Sequence, residues 1–565
     1  MAKINELEWE LASIARREYL GDRFEFLVIS NAYKHVCENN LIYFKDSDLL
    51  ALAEDMNQEI SNSSVERLNK VFLDLTLDEI RDLVYDSLSG KNRSGRGFVE
   101  NSNSSLCLLV NDLLDIDEGG HMVLDLGSGT GNFLANVYRV AHEKKFVLKD
   151  LIGVELNSEQ ANISKMALYI LSDGSVNPQI ITGNALEKLS VPYNKGYSFP
   201  PFGMRKLLPE DSRASHLFPE VNLSNRNTGE WIFVDALLSG LVGRQQRAVA
   251  LVTAKALFND ADKEYRNKLI QNGWLEGIIE LPIGALSFVG AKTFLLVFSR
   301  ENEQVKFIDA SDVIGAQNKR YANIELPIKA IEDLYYSSEA KSKKNSELID
   351  SSNLMPSANL VEVKMLENGI QLKEVADIII GNQYTLGVFE SKGLLSDKPT
   401  GYRILTSGDI EGGAVNWKSL KPVAFKDDKF DKFAVHCGDV VVSSKSSKVK
   451  TVVIDVEPKE KIIVTGGMLI VRPDVKRLNP TYLKIFLDSE EGQAVLKSIQ
   501  KGTIIVTINA SSLGTIYVPM VDMETQKRKA DRYNEKLSTL IAYKKEIERI
   551  ENSLKNFFLE EDGED

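Results

Sequence analysis

Apolar side chains recur every three or four positions through the first part of the chain. "FEFLVISNAYKHVCENN" and "SNSSVERLNKVFLDLTLDEIRDLVYDSL" carry that period, with Ser and Thr placed as caps, and predict a helical domain over residues 1–95. From 96 to 335 the texture alternates. Short apolar runs ("MVLDLG", "LIGVEL", "AVALVT", "LEGIIELP", "TFLLVFS") are separated by helical stretches such as "SEQANISKMALYILSD" and "DKEYRNKLIQNG". That alternation predicts an α/β domain, a mostly parallel sheet with helices on both faces. The Ser- and Lys-rich "SSEAKSKKNSELIDSSN" reads as a linker within 336–359. Over 360–522, β-branched runs ("VADIIIG", "DVVVSSK", "KTVVIDV", "KIIVTGGMLIVRP") alternate with Gly, Asn and Asp around a helical insert, "NPTYLKIFLDSEEGQAVLKSIQ". This predicts a β-rich α+β domain. In the last segment, 523–565, Leu540, Tyr543, Ile547, Ile550, Leu554 and Phe557 are spaced 3, 4, 3, 4, 3. That seam predicts a helix that pairs with another helix, as in a coiled coil, in preference to lying on its own protein.

A chain of 565 residues exceeds one core, and 43% apolar with 26% charged residues fits a globular protein. Cys37, Cys107 and Cys437 form no CxxC pair, so neither a disulfide frame nor a zinc site is expected, and a reducing, cytoplasmic setting follows. The N-terminal residues are charged and periodic, unlike a signal peptide, and no long uncharged apolar run suggests a membrane span. The net charge of −13 argues against nucleic acid as a partner. Its distribution tempers that argument. Residues 361–520 hold 21 Lys and Arg against 19 Asp and Glu, so phosphate contacts are least disfavoured there.

"VLDLGSGTGNF" carries the strongest chemistry. A strand ends at Asp125, and Gly127, Gly129 and Gly131 precede a helix. Glycines there let the backbone turn sharply and approach a ligand. The spacing is not the G-x-G-x-x-G of dinucleotide sites, which disfavours NAD; a ligand-free turn is the plain alternative. "LIGVELN" ends its strand with Glu155, suited to ribose hydroxyls, and "IITGNAL" ends with Asn184, whose amide can pair with an adenine edge. In that order, at strand tips, these residues describe a pocket for an adenosine-containing cofactor.

With these motifs, residues 1–330 resemble the modification subunit of Type I restriction systems, in the gamma class of adenine-N6 DNA methyltransferases. "DLGSGTGNF", "GVELN" and "GNAL" match that family's S-adenosylmethionine motifs in order, and the stretch 230–299, with "LFND" and "GAKT", is similar too. The resemblance implies a Rossmann-like methyltransferase domain, with Asp125, Gly127, Gly129 and Gly131 against the cofactor, Glu155 on its ribose and Asn184, usually Asp in the family, at its adenine. The family's catalytic loop reads Asn-Pro-Pro-Phe or Asn-Pro-Pro-Tyr, and an adenine flipped from the duplex stacks on its aromatic residue. Here the loop is Phe199, Pro200, Pro201, Phe202. A benzyl group cannot accept the hydrogen bond from the exocyclic amine, and losing such a contact costs a factor of about 10²–10³ in rate. Ser198 and Asn194 are the neighbouring polar groups considered as substitutes. Two further departures accompany it: "GRGFVEN" keeps Gly97 and Phe98 but has Glu100 and Asn101 where the family has Thr-Pro, and Val252–Thr253 stands where it has Leu-Pro.

Residues 370–560 resemble half of a Type I specificity subunit, through "YRILTSGDIEGG", "VHCGDVVVSSKSS", "TGGMLIVRP", "LNPTYLKIFLDSEEGQ" and "GTIYVPMVDMETQKR". The resemblance implies a target-recognition domain over 360–522 and a coiled-coil spacer helix over 523–565. With one of each, a homodimer on two half-sites of double-stranded DNA follows. Lys445, Lys448 and Lys450 are candidate phosphate contacts, a solvated turn being the alternative. No metal site and no nuclease signature are read, so cleavage would need a separate nuclease or defence-system subunit. The expected function is sequence-specific DNA binding in restriction-modification or anti-phage defence, with S-adenosylmethionine bound but methyl transfer lost or severely impaired. The competing readings are an active adenine-N6 DNA methyltransferase and a small-molecule methyltransferase.

Overall fold

In the computed structural model the described residues are all except 1, 21–22, 44, 90–103, 173–175, 177, 188, 190, 205, 244, 287–288, 315–323, 352, 362–368, 426–427, 447–448, 503–505 and 557–565. The chain divides into two compact units, Met1–Leu360 and Val361–Asp565.

The first unit is built on a nine-stranded sheet. In chain order its strands are β1 (Met122–Leu126), β2 (Asp150–Glu155), β3 (Pro178–Thr182) and β4 (Lys195–Ser198). A small hairpin, β5 (Ser212–Ala214) and β6 (Asn222–Ser224), stands outside the sheet. The sheet continues with β7 (Arg247–Thr253), β8 (Leu275–Glu280), β9 (Thr293–Phe298), β10 (Gln304–Asp309) and β11 (Ser342–Lys344). The order across it is β11-β10-β8-β9-β7-β4-β1-β2-β3. β3, β2, β1, β4 and β7 run parallel, and β9 is inserted antiparallel between β7 and β8.

Alternation along the strands divides the interior into two layers. Val249, Leu251, Leu295 and Val297 face one core, which extends into the N-terminal helices through Phe26, Leu27 and Tyr33. Ala248, Ala250, Val252, Phe294 and Leu296 face the other, which holds Trp231, Leu237 and Trp274. Both faces are covered, so these strands carry no polar face, as a sheet between helix layers requires.

The N-terminal helical expectation meets helices Ala2–Arg17, Phe24–Glu38, Ser47–Gln58, Asn62–Leu73 and Leu77–Ser89. The long periodic run breaks after Leu73 because Thr76 opens a new helix. The Thr76 N–H donates to Glu79 Oε2 and the Glu79 N–H to Thr76 Oγ1, a reciprocal cap. These helices share their core with the sheet and belong to the same compact unit. The linker expected over 336–359 differs more. It supplies the edge strand β11, antiparallel on β10, and helices Asn345–Leu348 and Pro356–Asn359. Leu348, Leu354, Met355 and Ala358 are buried in the second core, so four apolar anchors suffice to fix a mostly polar stretch.

The second unit is α+β. A four-stranded antiparallel sheet runs Ala376–Ile380, Met468–Pro473, Val440–Ser443, Thr451–Val453. A three-stranded sheet holds Tyr402–Leu405 between Lys421–Pro422 and Lys461–Val464. The helical insert forms Pro480–Asp488 and Glu490–Ser498, and the C-terminal segment forms one 34-residue helix, Met523–Asn556. That helix is anchored near its start. Buried Gln526 accepts from the Asn479 N–H and donates to the Arg477 carbonyl, and Tyr533 Oη accepts from Lys484 Nζ. Further along, Leu540, Tyr543, Ile547, Ile550 and Leu554 are 46–67% exposed, a continuous apolar stripe within this unit. Phe557 lies outside the described residues.

Candidate functional site

Four adjacent parallel strands bring the expected site together at their C-terminal ends. The register pairs Leu126 of β1 with Ser198 of β4, Asp125 with Gly153, and Glu155 of β2 with Thr182 of β3. Asp125, Glu155, Asn184 and Phe199 therefore stand at neighbouring strand tips.

The glycine loop crosses these tips. The N–H groups of Gly127 and Ser128 both donate to the Val154 carbonyl, which draws the loop over β2. Gly127, Gly129 and Gly131 have φ of 88°, 52° and 87°, a region that L-residues with side chains rarely occupy. Space is tight as well as strained. A Cβ on Gly131 would be driven into the Ser164 hydroxyl of helix Ser158–Ser172, and one on Gly153 would lie 2.8 Å from Ser128 Oγ. Gly127 faces the other loop: its Cβ would sit 3.8 Å from the Phe199 carbonyl oxygen and 4.0 Å from the Phe233 ring. The glycine loop and the Phe-Pro-Pro-Phe loop are thus neighbours, with room for about a methyl group between Gly127 and the Phe199 carbonyl.

Two carboxylates flank the loop. Glu155 accepts from the Gly129 N–H at 2.9 Å and the Asn157 N–H at 2.8 Å, clasping the loop to the tip of β2. Asp125 is buried, and that burial, reinforced by the nearby Glu155 charge, pushes its carboxyl well above the usual range. Inside the loop, Ser128 Oγ and Thr130 Oγ1 are buried without a hydrogen-bond partner. A loop of positive-φ glycines closed to a Cβ at Gly131, two orphaned hydroxyls and a carboxylate that gains from a cationic or hydroxyl-bearing ligand fit S-adenosylmethionine. The cofactor would supply an electrophilic methyl group. Asn184 is exposed, and its side-chain oxygen accepts from the Leu186 N–H.

Phe199 follows β4 directly. Its ring and that of Phe202 are half-buried, 5.3 Å apart and inclined at 53°, partly packed against the first core. Both candidate replacements for the lost amide are engaged elsewhere. Ser198 is fully buried and its Oγ donates to the Leu126 carbonyl at 2.8 Å. Asn194 sits just before β4, at the opposite end of the strand, where its Oδ1 accepts from the Met122 N–H and its Nδ2 faces His121 Nδ1. Thr253, at the tip of β7, gives both its N–H and its Oγ1 to Glu230 Oε1, two donors that a proline would lack. Gly97, Phe98, Glu100 and Asn101 lie outside the described residues.

In the second unit the three lysines diverge. Lys445 is exposed; Lys448 lies outside the described residues. Lys450 Nζ donates to the carbonyls of Ser407 and Ile410, both at 3.1 Å, so it clips the turn after Tyr402–Leu405 and is a weaker phosphate candidate than its spacing suggested. The other motifs in this unit serve the fold. Asp409 of "TSGD" accepts from the Thr406 N–H and Oγ1. Buried Asp439 of "CGDV" takes two 2.8 Å bonds from Arg472 of "IVRP". Among the described residues no cluster of His, Cys, Asp and Glu is arranged to hold a metal ion, and no helix is long and apolar enough to cross a membrane.

Sequence reasoning did not single out Ser128, Thr130, Gly153, Ser164 or Glu230. Ser128 and Thr130 are interleaved with the loop glycines, which was their available signal. Ser164 and Glu230 meet the site only through folding.

Residues 94–373 match the N-6 DNA Methylase family. A 281-residue alignment, 46% of this chain and 48% of the relative, is 22% identical to the type I restriction enzyme MjaVII methylase subunit of Methanocaldococcus jannaschii. The chain thus matches about half the length of that curated relative. Among solved structures, the type I restriction-modification system methyltransferase subunit from Streptococcus thermophilus covers 61% of this chain and 96% of its own, at 16% identity and TM-score 0.46. The HsdS subunit from Thermoanaerobacter tengcongensis covers 31% of this chain and 39% of its own, at 18% identity and TM-score 0.23. Neither score reaches 0.5, and the fold assignment stands on the strand order and the glycine loop. By its sequence match, the segment 94–373 is similar to the N-6 DNA methylase family.

Proposed function

We propose that this chain is a sequence-specific DNA-binding protein of a restriction-modification or anti-phage defence system, in which an adenine-N6 methyltransferase unit is fused to its own target-recognition domain and methyl transfer is lost or severely impaired. The observation that carries this reading is Phe199 at the tip of β4, beside the glycine loop, with Ser198 and Asn194 both committed to other partners. An exocyclic amine brought to this loop meets a hydrocarbon where it needs an acceptor. A buried amine left unpaired costs about 1–3 kcal/mol on top of the lost rate.

Binding of S-adenosylmethionine is supported by the glycine loop and its orphaned hydroxyls, with Asp125, Glu155 and Asn184 as the polar contacts. Phe202 offers a face on which a base can stack. The recognition role of the second unit rests on its resemblance to half of a specificity subunit, with Lys445 as the phosphate contact best placed for it. One recognition domain on each chain calls for two chains on two half-sites, and the apolar stripe from Leu540 to Leu554 is the surface through which they would pair. Such a protein acts beside DNA in the cytoplasm and relies on a separate subunit for cleavage.

Selection of duplexes from a random-sequence library tests both halves of the proposal. The native chain enriches one sequence class, and the recovered duplexes, incubated with the chain and S-adenosylmethionine, stay free of N6-methyladenine. Methylation of the enriched sequence at an ordinary turnover rate removes the impaired reading, and absence of any enrichment removes the recognition reading.

A further inference from the structure

A cavity lies at the other end of the sheet from the glycine loop, beneath the N-terminal ends of β1, β4, β7 and β8. It measures about 890 Å³ and is lined by His121 just before β1, by Lys195, Arg247 and Glu276 of β4, β7 and β8, and by Ser299 just after β9. Because β1 and β4 run parallel, this cavity and the glycine loop are at opposite ends of the same strands.

Polar atoms without partners converge on it. Lys195, the first residue of β4, is 3% exposed and makes no ion pair among the described residues. His121, also 3% exposed, stands beside it. The Asn194 side-chain oxygen is taken by the Met122 N–H, so its amide nitrogen donates to His121 Nδ1. That places the ring proton of neutral His121 on Nε2, which is buried and has no acceptor. Arg247 uses its two terminal nitrogens on Asp115 and Glu276, and its Nε is also buried without a partner. Gln246 Oε1 is a third orphan. Three such atoms around one cavity are far from the usual condition of buried polar groups. Burial also holds both the Lys195 ammonium and the His121 imidazole below their ordinary pKa values, and each would gain from an acceptor.

The rim has the opposite character. Asp117, Glu118 and Glu301 line the cavity and form no ion pair among the described residues. These three carboxylates, set against Arg300 in the same lining, disfavour a bare polyanion, and the buried ammonium disfavours a simple cation. What satisfies both walls is a molecule carrying both charges.

We propose that this cavity binds a small zwitterion, a free α-amino acid, with its carboxylate on Lys195, His121 Nε2 and Arg247 Nε and its ammonium on Asp117 and Glu118. The site is independent of the cofactor loop and of the reading of Phe199.

Calorimetric titration of the full chain with each of the twenty free L-amino acids tests this, with sodium acetate and methylammonium chloride as the two half-ligands. At least one amino acid binds, and acetate binds at least tenfold more weakly. Lys195→Met weakens that amino acid by about thirtyfold or more, as loss of one partner from a desolvated charge pair does. The ligand-free variant keeps or raises its unfolding temperature, since an unpaired buried ammonium has gone. Asp117→Asn with Glu118→Gln, exposed positions that leave folding intact, narrows the gap between the amino acid and acetate. Binding of no amino acid overturns the proposal. So does acetate binding as tightly as any amino acid, or equal affinity in Lys195→Met.

Discussion

Ser198 Oγ donates to the Leu126 carbonyl at 2.8 Å, joining the last residue of β4 to the end of β1. The bond fixes the hydroxyl beneath the strand tips, in full burial, and removes it from the surface where a base would arrive. Asn194 is excluded by geometry of another kind, since four strand residues separate it from Phe199 and its amide serves the other end of the sheet. Neither side chain therefore stands in for an acceptor beside Phe199.

The glycine loop should tolerate no side chain at Gly131. Gly131→Ala places a Cβ against Ser164 at a φ of 87°, and the backbone strain alone costs about 1–2 kcal/mol. Thermal unfolding is expected to fall accordingly, and calorimetry to detect no S-adenosylmethionine binding. Gly120→Ala is the control. Gly120 has the same φ of 87° but nothing within 4 Å of its Cβ, so the variant loses some stability and keeps cofactor affinity.

Asp125 gives the ligand-free protein a pH dependence of definite sign. Burial raises its folded-state pKa above the unfolded value, so the native state holds the proton more tightly. Its contribution to stability is fully present below the unfolded carboxylate pKa and is lost as pH rises through the raised folded value. Asp125→Asn, which cannot ionise, is expected to become progressively more stable than the native chain as pH rises above about 4. Unfolding midpoints of the two proteins across pH 4–8 check this, and parallel curves would refute it.

The stripe on helix Met523–Asn556 leads to an expectation about assembly. Leu540, Ile547 and Leu554 are exposed within their own unit, so replacing them with Lys leaves folding intact and removes apolar contact between two copies. Sedimentation equilibrium should find the native chain dimeric and the triple variant monomeric. A monomeric native chain, with and without duplex DNA, would remove the stripe from the assembly.

Much of this architecture is written in local pattern. The parallel sheet is legible because β1, β2 and β7 are apolar runs followed by helical periods, and the cofactor loop because its glycines follow a strand ending in Asp125. The parts that were not legible depend on contacts distant in sequence. Segment 336–359 is polar on average, and only the fold shows that Leu348, Leu354, Met355 and Ala358 pin it to the second core. Lys450 looks like a phosphate ligand until the Ser407 and Ile410 carbonyls are found around its ammonium. The Lys195–His121 cavity has no sequence signature, because its polar groups come from strand starts that share an edge only once the sheet is assembled.

The central claim is settled most directly by initial rates of methyl transfer from labelled S-adenosylmethionine to the selected duplex, for the native chain and Phe199→Asn. Restoring a carboxamide beside the glycine loop is expected to raise the rate by about 10²-fold or more from a native level near background. Ordinary turnover by the native chain, left unchanged or lowered by the Asn substitution, would contradict the account.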